Sequence, residues 1–354
     1  MTIIHLRAPH ARLTLQQRAG PLLRSVSAAR RFGDDVFWLK ENAELLNILE
    51  CTGVRPEAAD LSTYELLYEG LPERLSFFPQ YYRFLLSICL DLEDLGMPGT
   101  HGAALAEWAG AQGLAGAELS DLQRAEAHRL LARRGVLAAQ DDGLDERLRA
   151  FMRRSATFAL PNKKAAYELT HIVFYLSEYG RRAPKLDEGA LVSLEYAGLL
   201  AFLDQNADLL AEICIALRYA GQTPSPIWES FVLDGLRGFT VTGGEGIDVA
   251  DDYHEYMVSQ WLAALALPDL RAAPIPEGRC RFDAPAHVPG PLRDMSVCLM
   301  QMTHSRSADW DCMRPILLNG APDGSAQIVA AAEASSDRFG AFFEGFARAL
   351  PAGR

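Results

Sequence analysis

Residues 163–176 hold a carboxyl, an imidazole and a phenol at helical spacing: Glu168, His171 and Tyr175. Side chains three and four positions apart lie on one face of a helix, and the other faces of this helix are apolar or aromatic. A helix covered on all sides is expected to be buried, and buried ionisable groups must be paired, bound to a ligand or reactive. We therefore predict that Glu168, His171 and Tyr175 belong to a catalytic site.

The spacing Glu168-x-x-His171 is also the spacing with which ferritin-like helices bind a metal ion. The sequence contains no second Glu-x-x-His, so a di-iron centre would lack half of its ligands. A divalent metal is the one cofactor that the sequence suggests, with Glu168 and His171 as ligands. The alternative is a buried, hydrogen-bonded pair that only fixes the packing of the helix.

His254 is predicted to be the third metal ligand or catalytic group. It lies on the apolar stripe of a helix expected to begin near Asp252, and the positive end of a helix dipole favours the neutral imidazole. A neutral imidazole is the form that binds a metal or acts as a general base. We expect His254 to share one site with Glu168 and His171. In the alternative interpretation, Asp252 and Glu255 form a capping box and His254 only packs.

Other polar residues could complete this site. Glu195 and Glu212 lie on helices that flank the first one, and either acid could join Glu168 and His171. The polar segment 304–312 offers His304 and Asp309 as weaker candidates. Segments of this composition are commonly loops exposed to solvent.

The elements that must position these residues are predicted to be mostly helices. Ser62 and Ser120 are each followed three residues later by Glu or Gln, as in a capping box. The polar run 204–206 predicts a tight turn between two antiparallel helices, and strand-like alternation is confined to 238–243. Helices are predicted over 75–95, 102–112, 119–135, 163–179, 189–203, 207–219, 225–236 and 252–266.

Two segments interrupt this helical pattern. A proline-rich stretch over 268–292 lacks periodicity, and we expect it to be a lid over a cavity or a belt around the helices. A polar and basic run shortly before Pro161 predicts a domain boundary. The boundary divides the chain into helical regions 1–155 and 156–354, of which the second carries the candidate site.

These elements predict an all-α fold with antiparallel helix pairs around a central cavity and little β-structure. The helix order and the buried polar residues over about 160–270 resemble those of α/α-toroid proteins, a class that includes terpene-cyclase-like, lanthionine-cyclase-like and sugar-epimerase-like barrels. The resemblance implies a toroid-like second half. The zinc cysteines of the lanthionine cyclases and the aspartate-rich motifs of the terpene enzymes are missing from the sequence, so no residue role follows from it.

Composition excludes several classes of partner. The formal net charge of −12 argues against a general nucleic-acid binder and against a protein held on anionic lipid, because both need a basic surface. The N-terminal residues lack the apolar region of a signal peptide, and the six cysteines are scattered. We therefore expect a cytoplasmic protein with reduced thiols. The bias toward Ala, Leu, Arg and Gly is typical of bacterial coding rich in G and C.

The function predicted from these observations is broad. The phosphate-binding loop, the dinucleotide fingerprint, the nucleophile elbow and His-Glu-x-x-His are all missing from the sequence. We predict a soluble bacterial enzyme that acts on a small molecule or modified peptide, by acid/base or metal-assisted chemistry in a helical cavity. The alternative is a non-catalytic helical scaffold that binds a protein or peptide partner. A homodimer is among the assembly states that the sequence allows.

Overall fold

A computed structural model describes residues 12–33, 35–138, 141–286, 288–319 and 323–349. The protein is mostly helical, at 66%, which confirms the predicted all-α class. The described β-structure consists of one two-stranded antiparallel sheet and an isolated bridge between Leu13 and Ala272. Within these ranges, no helix has the length and apolar character that crossing a membrane requires.

The helices and strands follow one another in this order. They are α1 (Leu15–Ala28), α2 (Val36–Cys51), α3 (Ala58–Leu61), α4 (Glu65–Phe77), α5 (Tyr82–Asp94), α6 (His101–Ala111), α7 (Asp121–Ala132), α8 (Leu144–Met152), α9 (Ser155–Phe158), α10 (Lys163–Leu176), α11 (Glu188–Leu203), α12 (Ala207–Tyr219), α13 (Pro226–Gly238), β1 (Thr240–Gly243), α14 (Tyr253–Ala266), β2 (Cys280–Asp283), α15 (Leu292–Gln301), α16 (Trp310–Asn319), α17 (Asp323–Ala334) and α18 (Phe339–Ala347). Short 3₁₀ turns occupy Ser62–Tyr64, Pro79–Tyr81, Leu114–Ala117 and Thr303–Ser305.

The chain forms two compact units, and each is discontinuous in sequence. The first unit comprises Met1–Asp142 and Asp234–Pro285, and the second comprises Gly143–Leu233 and Ala286–Arg354. The division of the chain into helical regions 1–155 and 156–354 stays a prediction.

A buried arginine holds the first unit together. Arg30, just after α1, is fully buried and donates to the carboxylates of Glu41 on α2, at 3.0 Å, and Asp251, at 2.9 Å. Asp251 also accepts a hydrogen bond of 2.8 Å from the backbone N–H of Phe282 on β2. Because a buried charge is costly unless it is paired, these contacts fix α1, α2 and the β-sheet to one another.

The helices around the predicted turn at 204–206 agree closely with the sequence prediction. α11 ends at Leu203 and α12 begins at Ala207. Gln205 adopts a left-handed φ of 52°, and the Asn206 side chain caps α12 by accepting from the N–H of Leu209 at 3.1 Å. This turn is confirmed, and it brings α11 and α12 together as a helical hairpin.

In the first unit, one predicted helix and one predicted helix cap are wrong. The helix predicted over 75–95 is broken, because Pro79 lacks an N–H and disfavours helical geometry at Phe78, whose φ and ψ are −118° and 59°. The Ser62 hydroxyl does not cap a helix and instead donates to the Ala59 carbonyl at 2.8 Å. Ser120 does cap α7, as predicted, by accepting from the Gln123 N–H at 3.2 Å.

The proline-rich segment contributes to both units. Its first part carries β2 and the bridge of Ala272 to Leu13. At its end, Gly290 lies so close to the end of α11 that an added Cβ would be 2.2 Å from the Leu203 carbonyl oxygen. These contacts are typical of a packed belt, and the lid role stays a prediction.

Candidate functional site

α10 begins with a side-chain cap, and its far end meets the end of α12. α10 begins at Lys163 because the Asn162 side chain accepts from the N–H of Ala165 at 3.1 Å. Beyond the other end, Gly180 has a φ of 86°, and an added Cβ would be 2.4 Å from the ring of Tyr219, the last residue of α12. A residue without a side chain is therefore required where these two helix ends meet.

A group of polar side chains lies where α10 faces α12, and we call it the α10–α12 cluster. The Glu212 side chain is only 3% exposed, and its Oε2 accepts a 2.5 Å hydrogen bond from the Thr170 hydroxyl. His171 Nδ1 lies 3.7 Å from the same Oε2. The Tyr167 hydroxyl donates to Asp208 Oδ2 at 3.0 Å. The cluster thus combines two carboxylates, an imidazole, a phenol and a hydroxyl.

The hydrogen bonds of the cluster determine the tautomer of His171. His171 Nδ1 lies 2.7 Å from the carbonyl oxygen of Tyr167, which can only accept, so Nδ1 carries the proton. The neutral ring then has its lone pair on Nε2. The His171 side chain is 36% exposed, so solvent and small molecules can reach the ring.

The two carboxylates act on their neighbours. Burial raises the pKa of Tyr167 above its ordinary value, and the charges of Asp208 and Glu212 raise it further. Tyr167 therefore stays a phenol and a donor to Asp208. Asp208 and Glu212 are four positions apart on α12, and each offers an oxygen within 4.8 Å of the other. Paired carboxylate oxygens can accept protons or bind a divalent cation.

The predicted residues of α10 are less enclosed than the sequence suggested. Glu168 and His171 are both half-buried, at the margin of the buried stripe. In the part of the chain that the structure describes, the Glu168 side chain makes no hydrogen bond or ion pair, and the acid beside His171 is Glu212. Tyr175 is buried, with its ring centroid 6.1 Å from that of His171, edge-on. The catalytic and metal-binding roles of these residues stay predictions.

His254 lies on α14 in the first unit. Its Nε2 is 3.7 Å from Glu44 Oε1, and the side chain is 32% exposed. The alternative capping box is wrong, because the Asp252 side chain does not cap α14 and instead accepts from the Ala284 N–H at 2.9 Å. The hypothesis that His254 shares a site with Glu168 and His171 joins residues of different units, and it stays a prediction.

The remaining candidates have structural partners. Glu195 accepts from the Ser336 hydroxyl at 2.5 Å and pairs with Arg338 at 2.9 Å. Asp309 accepts from the Asp311 N–H at 2.9 Å at the start of α16. The side chain of His304 lies outside the described part of the chain.

Three members of the cluster were not singled out from the sequence: Tyr167, Thr170 and Asp208. Asp208 precedes Glu212 by four positions, which is a detectable same-face spacing on α12. Tyr167 and Thr170 carry no comparable signal in the sequence. Their roles depend on which helix packs against α10, and sequence spacing does not contain that information.

Comparisons with known proteins identify a family and no function. No curated protein and no solved structure matches the chain. The family model described as "Domain of unknown function (DUF6902)" matches residues 1–349. Because this match covers nearly the whole sequence, the chain belongs to the DUF6902 family.

Proposed function

We propose that the protein is an enzyme acting on a small molecule or modified peptide, with the α10–α12 cluster as its catalytic centre. The observation that carries the proposal is the half-exposed imidazole of His171 beside the buried carboxylate of Glu212, 3.7 Å away. A buried carboxylate needs a compensating partner. An accessible base next to such an acid is a recurrent arrangement in general-base catalysis.

His171 is the proposed general base. Its Nε2 takes a proton from a bound substrate or from water, while Nδ1–H stays on the Tyr167 carbonyl. The negative charge of Glu212 then stabilises the imidazolium. Thr170 is a positioning residue, because its hydroxyl holds the Glu212 oxygen that faces the ring.

A metal-assisted variant of this chemistry rests on a separate observation. Asp208 and Glu212 present oxygens within 4.8 Å of each other, and hard divalent cations prefer oxygen ligands. Titration of the purified protein with Mn²⁺ in a calorimeter tests it. We expect the natural protein to bind Mn²⁺ and the Asp208→Asn variant to lose this binding. If the natural protein gives only the heat of dilution, the metal-assisted variant is wrong and His171 acts without a metal.

The general-base proposal is tested with a panel of chromogenic esters, amides, phosphoesters and glycosides. For any substrate turned over, His171→Gln should lower kcat/KM by about 100-fold or more, the usual contribution of a general base. His128→Gln is the matched control, because His128 is another half-buried histidine, in the first unit. A rate unchanged in His171→Gln, with both variants folded, would refute the assignment.

The scaffold alternative rests on an apolar surface in the first unit. Phe37, Phe77 and Phe78 are exposed, and Phe78 lines a cavity of about 230 Å³. Exposed aromatic patches commonly mark protein-interaction sites. Inactivity across the substrate panel would favour this peptide-binding function. The toroid arrangement of helix pairs, the bacterial cytoplasmic location and the homodimer stay proposals alongside it.

A further inference from the structure

A cavity of about 110 Å³ lies within the second unit, next to the first turn of α10. Apolar side chains from α9, α10, α11, α12 and α15 make up most of its wall. The wall residues used below are Phe158, Leu160, Ala197, Leu200, Ala201 and Leu209. Ala197 and Ala201 lie four positions apart on α11 and are both buried, so two methyl groups stand where larger side chains would fill the space.

The polar groups at the cavity already have partners. Lys163 Nζ lies 2.7 Å from Asp204 Oδ2, and the Asn162 side chain accepts from the N–H of Ala165. The wall therefore offers no unsatisfied charge to attract an ion. The chemistry of the lining favours an apolar occupant.

α11 is closely packed on another face as well. On another face of α11, Gly198 is so close to Trp228 that an added Cβ would be 2.6 Å from the indole ring. Trp228 is itself buried and donates from Nε1 to the Ser335 hydroxyl at 2.9 Å. A shift of α11 into the gap beside Ala197 and Ala201 would draw Gly198 away from this ring and lose close packing.

We propose that this cavity binds a compact, neutral, apolar molecule the size of one aromatic ring, with any polar substituent directed toward Lys163 and Asp204. An apolar protein cavity of about 150 Å³ binds benzene or xenon, and the present cavity is of similar size, with a mostly apolar wall that reaches solvent at Lys163, whose side chain is 63% exposed. The site lies on different residues from the α10–α12 cluster. The inference therefore stands whether or not His171 is catalytic.

Benzene is the probe for the first experiment, with thermal unfolding of the full chain as the readout. At about ten times its Kd, benzene should raise the melting temperature of the natural protein by about 2–4 °C. Ala197→Leu and Ala201→Leu fill the cavity and should each abolish this shift. Ala165→Leu is the matched control, because Ala165 is on α10 but does not line the cavity, and it should retain the shift.

Two outcomes would overturn the proposal. One is the lack of a benzene-induced shift in the natural protein, and the other is a shift that survives both cavity-filling variants, as nonspecific binding would. If the leucine variants do not fold, ¹²⁹Xe NMR of the natural protein decides the question. A xenon chemical shift that changes with the concentration of folded protein by more than with that of the unfolded chain supports the cavity, and equal changes for the folded and unfolded chain refute it.

Discussion

At the scale of single residues, the α10–α12 cluster depends on one hydroxyl proton. Thr170 Oγ1 is 2.5 Å from Glu212 Oε2 and 2.9 Å from the Tyr167 carbonyl oxygen, yet it can donate to only one of them. Donation to Glu212 satisfies a buried carboxylate, and the Tyr167 carbonyl oxygen, which has two lone pairs, can accept from His171 in either case. Thr170 therefore holds the Glu212 oxygen that faces the His171 ring.

Replacing Thr170 by Val should expose this dependence. The Glu212 carboxylate loses its hydroxyl donor while remaining buried, so the free energy of unfolding should fall by about 1–3 kcal/mol. Urea denaturation measures the loss. Thr170→Ser keeps the hydroxyl and should retain most of the stability, whereas a Thr170→Val variant as stable as the natural protein would contradict the role of the hydrogen bond.

At the scale of elements, close helix contacts depend on residues without side chains. Gly198→Ala places a methyl group within 2.6 Å of the Trp228 ring, and this ring is held by its bond to Ser335. We expect the free energy of unfolding to fall by about 1–3 kcal/mol, as for other overpacked cores. The measurement is again chemical denaturation.

Gly340 on α18 is the control for this substitution. It is an exposed helical glycine with open space around its missing Cβ. Gly340→Ala should therefore stabilise the protein by about 0.5–1 kcal/mol, since alanine is the better helix former. A Gly198→Ala variant as stable as Gly340→Ala would contradict the close packing of α11 on the indole.

Ion pairs between α5 and the residues after α7 should make stability depend on pH. Asp94 accepts from Arg133 at 2.6 Å and from Arg134 at 2.9 Å. Burial opposes ionisation of Asp94, but the hydrogen bonds and charges of the two arginines outweigh it and lower the pKa of Asp94 below its ordinary value. A lowered pKa stabilises the folded state above the unfolded pKa of about 4, and the contribution is lost as the pH falls.

Asp94→Asn tests this dependence by urea denaturation between pH 7 and pH 3. The variant should be less stable at pH 7 by about 1 kcal/mol or less, because the Asp94 side chain is 34% exposed and solvent screens the pairs. The difference from the natural protein should shrink as the pH falls. Burial raises the pKa of the neighbouring Asp91, which acts in the opposite direction, so the comparison uses the difference and not the absolute curve. A difference independent of pH would contradict the ion-pair account.

At the scale of the whole molecule, the thiols report how the chain is packed. Cys89, Cys214 and Cys280 are buried, and burial raises the pKa of each thiol. Cys312 is exposed, and its neighbour Asp309 raises the pKa of its thiol. Since the thiolate is the reactive form, the buried thiols should resist modification.

Reaction with a disulfide reagent at pH 8 measures this protection, with the modified residues identified by mass spectrometry. Cys312 should react first, and the three buried cysteines should react only as the protein unfolds. In denaturant all six thiols should react, because none forms a disulfide. Rapid modification of Cys214 in the native protein would contradict the packing of α12.

The sequence by itself determined much of the helical pattern. The bounds predicted over 189–203 and 207–219 differ from α11 and α12 by at most one residue, because caps and turns are encoded in a few neighbouring residues. The helix predicted over 75–95 fails for a reason that is equally local, since Pro79 breaks the helix within a continuous apolar run.

Only the tertiary structure decided which groups meet. Spacing along α10 pairs Glu168 with His171, but the acid beside the imidazole is Glu212 on α12. Glu212 also accepts a hydrogen bond from Thr170, from which it is separated by 42 residues along the chain. The cavity beside α11 likewise lies among side chains of distant segments, such as Phe158, Leu209 and Leu292. Periodicity states which face of a helix is covered, but the identity of the covering side chains depends on long-range packing.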